Sequence, residues 1–157
     1  MAEDVTYSGT IAAAMEGTIL GVRSIALSQA YGAKGRAAIE WSCAEAHAPQ
    51  IIRRLLEEGI PPDILLNVNF PDCPPDEAAG VAITVQGRRN QKLLRLDPRE
   101  DGRGKPYYWI AFERGRSDPP NGTDLKALAE NRISVTPLEI DLTHEPTLTR
   151  LAIAFAK

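Results

Sequence analysis

Histidine and cysteine are scarce in this sequence, and neither forms a cluster. His47 and His144 stand far apart, and Cys43 and Cys73 match no zinc spacing, so these residue types argue for no metal site. The cysteines are expected to be reduced thiols of a cytoplasmic protein. Each histidine reads as a lone surface or half-buried side chain. No apolar run approaches the length of a membrane span, and no basic segment followed by an apolar one opens the chain, so no membrane association is expected. Neither sign of charge dominates: 18 Lys and Arg stand among 21 Asp and Glu, for a net charge of −3. That balance gives no electrostatic footprint for a nucleic acid polymer or an anionic membrane. Internal repeats and low-complexity tracts are missing as well.

What is present suits one domain with its own core: 157 residues, 43% of them hydrophobic. The chain is organised around the stretch from Asp4 to Gly17. Ser8 is a good helix N-cap, Gly9 leaves room for a ligand to approach the backbone, and Thr10 adds a hydroxyl on the first turn. Ile11, Met15 and Ile19 recur at helical spacing behind them. Such a helix start gathers free N–H groups at the positive end of the helix dipole, which makes Ser8, Gly9 and Thr10 candidate phosphate-binding residues. An ordinary capped helix is the plain alternative.

Further along, Gly21 is a helix stop and Arg23–Ser28 a strand, a helix-to-strand step typical of α/β folds. Gly32 to Gly35 is a loop. A second helix ends at Gly59; it starts either with a capping box of Ser42 and Glu45, which leaves Pro49 inside, or near His47 with Pro49 in the first turn. Ile64–Phe70 is a buried strand, on which Asn67 and Asn69 face one side. They line a site or, as favoured here, hydrogen-bond a neighbouring loop. Val81–Val85 is a strand followed by Arg88 and Arg89, which meet a phosphate, meet an acidic partner, or form a solvated turn. Lys92–Leu96 and Lys105–Phe112 read as a hairpin with a long charged tip from Asp97 to Gly104. Its aromatic arm, Tyr107 to Trp109, points to subunit contact. Ser117 to Gly122 is a loop, and Thr123 or Asp124 caps a short helix. Ile133–Thr136 is a strand stopped by Pro137. Leu138–Leu142 alternates like a strand, and Leu148 to Phe155 suits a helix.

The run Asp4-Val5-Thr6-Tyr7-Ser8-Gly9-Thr10-Ile11-Ala12-Ala13-Ala14-Met15-Glu16-Gly17 resembles the central motif of the SurE family, metal-dependent nucleoside 5′-monophosphate phosphatases. Leu66-Asn67-Val68-Asn69-Phe70-Pro71, Tyr107-Tyr108-Trp109-Ile110, Gly122-Thr123-Asp124 and Ser134-Val135-Thr136-Pro137-Leu138 match in the same order. The resemblance covers nearly the whole chain. It implies an α/β fold with a partial Rossmann-like parallel sheet and helices: residues 1–90 as the end of the nucleotide-binding-type α/β core, 91–115 as a protruding hairpin, and 116–157 as a C-terminal oligomerisation segment. It also implies a preceding half that carries the metal ligands, adjacent aspartates, a serine and an asparagine, none of which is in this chain. The implied substrate is a nucleoside monophosphate. A divalent cation, Mg or Mn, is implied for the complete enzyme, whereas this chain alone is expected to bind no metal and to contain no catalytic residue. A homo-oligomer, dimer or tetramer, through the hairpin and C-terminal segment is implied too. The alternatives are an inactive fragment, or an oligomerisation or phosphate-binding module without catalysis.

Overall fold

In the computed structural model, which describes residues 1–32, 35, 39–89, 94–112 and 118–156, a 3-10 turn, Ala2–Tyr7, passes through Ser8 into helix α1, Gly9–Ile19. Strand β1 (Ser24–Gln29), helix α2 (Ser42–Glu58), strand β2 (Ile64–Phe70) and strand β3 (Val81–Ile83) follow. The chain continues through β4 (Leu94–Glu100), β5 (Pro106–Phe112), α3 (Asp124–Ala129), β6 (Ile133–Glu139) and α4 (Glu145–Phe155). The fold is α/β, as expected, with a mixed sheet in the order β1-β2-β6-β3 and a separate β4–β5 hairpin. β1 runs parallel to β2, while β6 is antiparallel to β2 and parallel to β3. Parts of the expected Gly32–Gly35 loop, the Lys92–Leu96 run and the Ser117–Gly122 loop lie outside the described residues, as do both ends of the expected 91–115 hairpin segment.

β2 is buried on both faces, and its alternation divides the core. Val68 and Phe70 pack with Ile133 and Val135 against Cys43 and Ile51 of α2. On the other face Leu65 and Ala26 pack against Ile11 and Ala14 of α1. Helix α1 ends as its sequence directs: Gly21 takes the left-handed conformation, φ 77°, and Val22 N–H donates to the Gly17 carbonyl at 2.8 Å.

Four local expectations are corrected. First, α2 begins at Ser42 with Trp41 at its N-cap and no side-chain capping bond, so neither the Ser42–Glu45 capping box nor a start near His47 is found. Pro49 lies inside the helix on its exposed side, and burial of Cys43 and Ile51 carries the helix across it. Second, the regular strand stops at Ile83; Val85 instead forms a parallel bridge with Thr123. Third, β6 runs through Pro137 to Glu139. Ile133 N–H and the Val135 carbonyl both face the β3 side, bonded to Gly80 and Thr84, so by alternation Pro137 faces that side too. β3 has already ended there, and no ladder bond is lost. Fourth, β4 extends to Glu100, which shortens the hairpin tip to Asp101–Lys105. The Asp101 carboxylate holds that tip by accepting from Arg103 and Lys105 N–H at 2.8 and 2.9 Å. An exposed two-stranded ribbon has no core to demand apolar alternation, so Arg95 and Asp97 simply pair along it at 2.7 Å.

Cys43 and Cys73 are free thiols at the α2 face of the core, Cys43 fully buried and Cys73 half-buried. Burial, reinforced by the neighbouring Cys73, pushes the Cys43 thiol up to about 11. Thiolate is the reactive form, and at pH 8 about one Cys43 in a thousand carries it. Burial raises the Cys73 thiol too, but only Cys43 is sealed from solvent, so iodoacetamide at pH 8 is expected to alkylate Cys73 long before Cys43. Peptide mass spectrometry over time reads the order, and equal rates would mean that α2 opens readily.

Candidate phosphate-binding site

The site starts with the direction of α1. A Cβ placed on Gly17 would come within 2.5 Å of Ser24 Oγ, so the last turn of α1 lies against the first residue of β1. Ala14 and Ile11, in the preceding turns, then join one cluster with Leu65, level with Ser24, and with Ala26 farther along β1. The helix thus runs back over the sheet, and its first turn points toward the carboxyl ends of β1 and β2. In open α/β sheets that end is the usual place for a ligand.

Ser8 caps α1: its Oγ accepts from Ile11 N–H at 3.3 Å. The first N–H groups of any helix lack intrahelical acceptors. Those of Gly9 and Thr10 have no acceptor among the described residues, and both residues are exposed. Nothing lies within 4 Å of where a Gly9 Cβ would sit. The sequence-derived trio is therefore assembled on one open helix start, with two directed N–H groups and the hydroxyls of Ser8 and Thr10 around it.

The turn that leads into this start is fastened to a distant part of the chain. Asp124, fully buried, accepts from Ala2 N–H at 2.6 Å, Gly87 N–H at 2.9 Å and Leu125 N–H at 2.7 Å. Both Glu3 oxygens accept from Arg89 N–H, at 3.0 and 2.9 Å, and the Arg89 guanidinium pairs with Asp4. Of the readings open for the arginine pair, Arg89 therefore meets an acidic partner within the chain, while Arg88 is exposed. Thr123 is the N-cap of α3, its Oγ1 accepting from Lys126 N–H, which leaves the Asp124 carboxylate for these other bonds. Sequence reasoning assigned Asp124 only to capping. Its partner Ala2 lies 122 positions away, and no local signal carries that distance.

Asn67 and Asn69 face the α1 side of the sheet, on the same face of β2 as Leu65 and alternating with Val68 and Phe70. Their register partners on β6 are Thr136 and Ser134, and Thr84 Oγ1 joins those two hydroxyls at 2.7 and 2.8 Å. Both asparagines are 2% exposed, yet neither side-chain nitrogen has a hydrogen-bond partner among the described residues. The favoured bonding of these amides to a neighbouring loop is thus not found; burial comes from the sheet and the α1 layer. The histidines are as isolated as expected: His47 Nε2 donates to the Pro75 carbonyl at 3.0 Å, and His144 is exposed beside Thr147.

A divalent cation needs several hard oxygen ligands held in one cluster. The carboxylates next to the α1 start are Glu3, Asp4 and Asp124, and all three are already engaged with N–H groups or a guanidinium. Among the described residues no group of three or more His, Cys, Asp or Glu is placed to hold a metal ion. The described residues do not fit such a site.

Known proteins share this sequence and this geometry. The sequence profile of the family described as "Survival protein SurE" matches residues 1–93. A "5'-nucleotidase SurE" of Methylorubrum extorquens (strain PA1) is 68% identical over 155 residues, which are 99% of this chain and 61% of that protein. The protein of the same name from Beijerinckia indica subsp. indica is 60% identical over 159 residues, covering 100% of this chain and 60% of its own length. The crystal structure of the SurE protein from Aquifex aeolicus superimposes with a TM-score of 0.78 at 40% identity, over 98% of this chain and 60% of that one. The chain thus spans about 61% of the length of the curated relatives it matches. With a profile match over more than half of its residues and relatives this similar along nearly its whole length, the chain belongs to the SurE family.

Proposed function

We propose that this chain forms the phosphoryl-binding part of a SurE-type phosphomonoesterase that acts on nucleoside 5′-monophosphates. The open start of α1 carries this reading: the N–H groups of Gly9 and Thr10 have no acceptor among the described residues, Thr10 is exposed, and the Ser8 hydroxyl, whose oxygen accepts from Ile11 N–H, keeps its own proton to donate. As the phosphoester bond breaks, charge shifts among the phosphoryl and leaving-group oxygens. Fixed donors aimed at those oxygens hold that charge without having to reorient. The divalent cation of the complete enzyme, Mg or Mn, is proposed from the family relation alone. Binding of phosphate without hydrolysis is the second reading, favoured by the commitment of Glu3, Asp4 and Asp124 to bonds within the chain.

The reading extends to assembly and location. Tyr108, Trp109 and Ile110 of the hairpin are exposed, and α4 buries none of its residues, so the hairpin and C-terminal segment are proposed to pair copies of the chain. No described helix is long and apolar enough to cross a membrane, and the free thiols Cys43 and Cys73 suit the cytoplasm.

Thr10→Ala tests the site, because Thr10 is not the capping residue. In an enzyme completed with the remainder of a relative, this change is expected to slow turnover on the order of a hundredfold. Ser8→Ala should do the same and in addition lower helix stability by about 1 kcal/mol through loss of the cap. Full activity in both variants would reduce the helix start to an ordinary cap.

A further inference from the structure

We propose that Asp124 is the positioning residue of this helix start, holding Ser8, Gly9 and Thr10 in place through the turn that precedes them. The inference rests on the phosphate-site reading for its functional meaning and on hydrogen bonds for its substance. The Asp124 carboxylate is fully buried and gathers three backbone N–H groups from three places: Ala2 at the head of the turn, Gly87 beyond β3, and Leu125 on α3. Among the described residues no Lys or Arg side chain bonds this carboxylate, and its three donors are all backbone N–H groups.

Around it the contact is built tightly. A Cβ on Gly87 would meet Asp124 Oδ1 at 2.8 Å and Leu125 at 3.2 Å, so only glycine lets the backbone come this close. Ala2 is fully buried and held at φ 48°, a left-handed conformation that alanine seldom adopts and that persists only where its surroundings fix it. The bond to Asp124 is what fixes it here. Six residues of 3-10 turn then lead directly to the Ser8 cap. Farther along the same turn the Glu3 and Asp4 contacts to Arg89 make a second fastening to the segment that carries Gly87. Val85 N–H donates to the Gly122 carbonyl and Asp124 N–H to the Val85 carbonyl, each at 3.0 Å, which ties that segment to the start of α3. The α1 start is thus aligned from α3, and by a fully buried residue.

Hydrogen exchange of the full 157-residue chain, read by mass spectrometry on peptides within residues 1–10, tests this without any ligand. Asp124→Asn removes the charge and keeps the shape. Opening of the turn is expected to speed exchange there by about tenfold or more, since a buried hydrogen bond to a charged group contributes at least that factor. Ile51→Val, on the opposite face of the sheet, is the control for general destabilisation. At equal loss of melting temperature it should leave residues 1–10 as protected as in the parent.

Isothermal titration with inorganic phosphate is the second readout, in which Asp124→Asn should weaken binding by a similar factor while Ile51→Val does not. Unchanged exchange in Asp124→Asn, or an equal change in the control, overturns the proposal whatever phosphate does. If the parent chain binds no phosphate, the phosphate-site reading fails and exchange still decides whether Asp124 sets the helix start. Should Asp124→Asn not fold, Gly87→Ala forces its new Cβ against Asp124 Oδ1 and displaces the Gly87 N–H from it, and exchange in residues 1–10 must then rise about threefold or more for the proposal to stand.

Discussion

Purified alone and supplied with Mg²⁺ or Mn²⁺, the 157-residue chain is expected to hydrolyse nucleoside monophosphates no faster than buffer does. Phosphate-side donors stabilise charge, but they neither supply nor orient a nucleophile. Full phosphatase activity ordinarily adds at least about 10⁶-fold over water, so the gap between this chain and a complete enzyme should be all or none in a standard assay. The acidic side chains beside α1 cannot close that gap, because freeing Glu3 or Asp4 breaks contacts to Arg89 and freeing Asp124 strands three N–H groups. Release of phosphate from AMP is measured across purification steps, with and without chelator. Metal-dependent turnover that keeps a constant specific activity through the final column would overturn the expectation. Joining on the part of the Methylorubrum extorquens relative that has no counterpart here should restore turnover.

The second large effect is self-association. β1 is an edge strand among the described residues, hydrogen-bonded only to β2, and parallel strands are normally covered on both sides. Beside that edge Leu27 is partly exposed, and Ile19, Leu20 and Val22 are largely so. An unpaired edge with apolar residues around it recruits other chains. At the far end of the sequence Leu148, Leu151, Ile153 and Phe155 project from α4, a helix of 11 residues, which is too short to be stable in water without a partner. Sedimentation velocity at micromolar concentration should show species larger than a monomer. Leu27→Lys should shift them downward by blocking the edge, and Phe155→Asp should do so by disrupting the α4 face. A monomer with strongly protected β1 amides would show instead that the exposed surfaces are tolerated.

Local chemistry made much of the core legible in the sequence. β2 runs from Ile64 to Phe70 as read, because an apolar run between Pro62 and Pro71 admits little else. The start of α1 was legible for the same reason: Ser8 caps and Ile11 begins the buried face, both within one turn. What could not be read depends on partners far away in the chain. Pro137 looked like a strand end because the early stop of β3 beside it is not written near residue 137. Asp124 looked like a capping residue because Thr123 and Asp124 are both good caps, and only the fold decides which oxygen is left over. The buried amides of Asn67 and Asn69 depend likewise on which layer covers them.

The place of β6 has a consequence for synthesis. It is the last strand of the sheet in chain order, yet it lies between β2 and β3. A growing chain therefore holds β2 and β3 with a gap between them until Glu139 has left the ribosome. From Phe70 to Glu139 that takes about 3 to 14 seconds at the usual rate of about 5–20 residues per second. Collapse of a chain of this size takes far less than a millisecond. For all of that interval Val68 and Phe70 have no Ile133 or Val135 to pack against, so the nascent chain is a client for whatever binds exposed apolar strands at the tunnel exit.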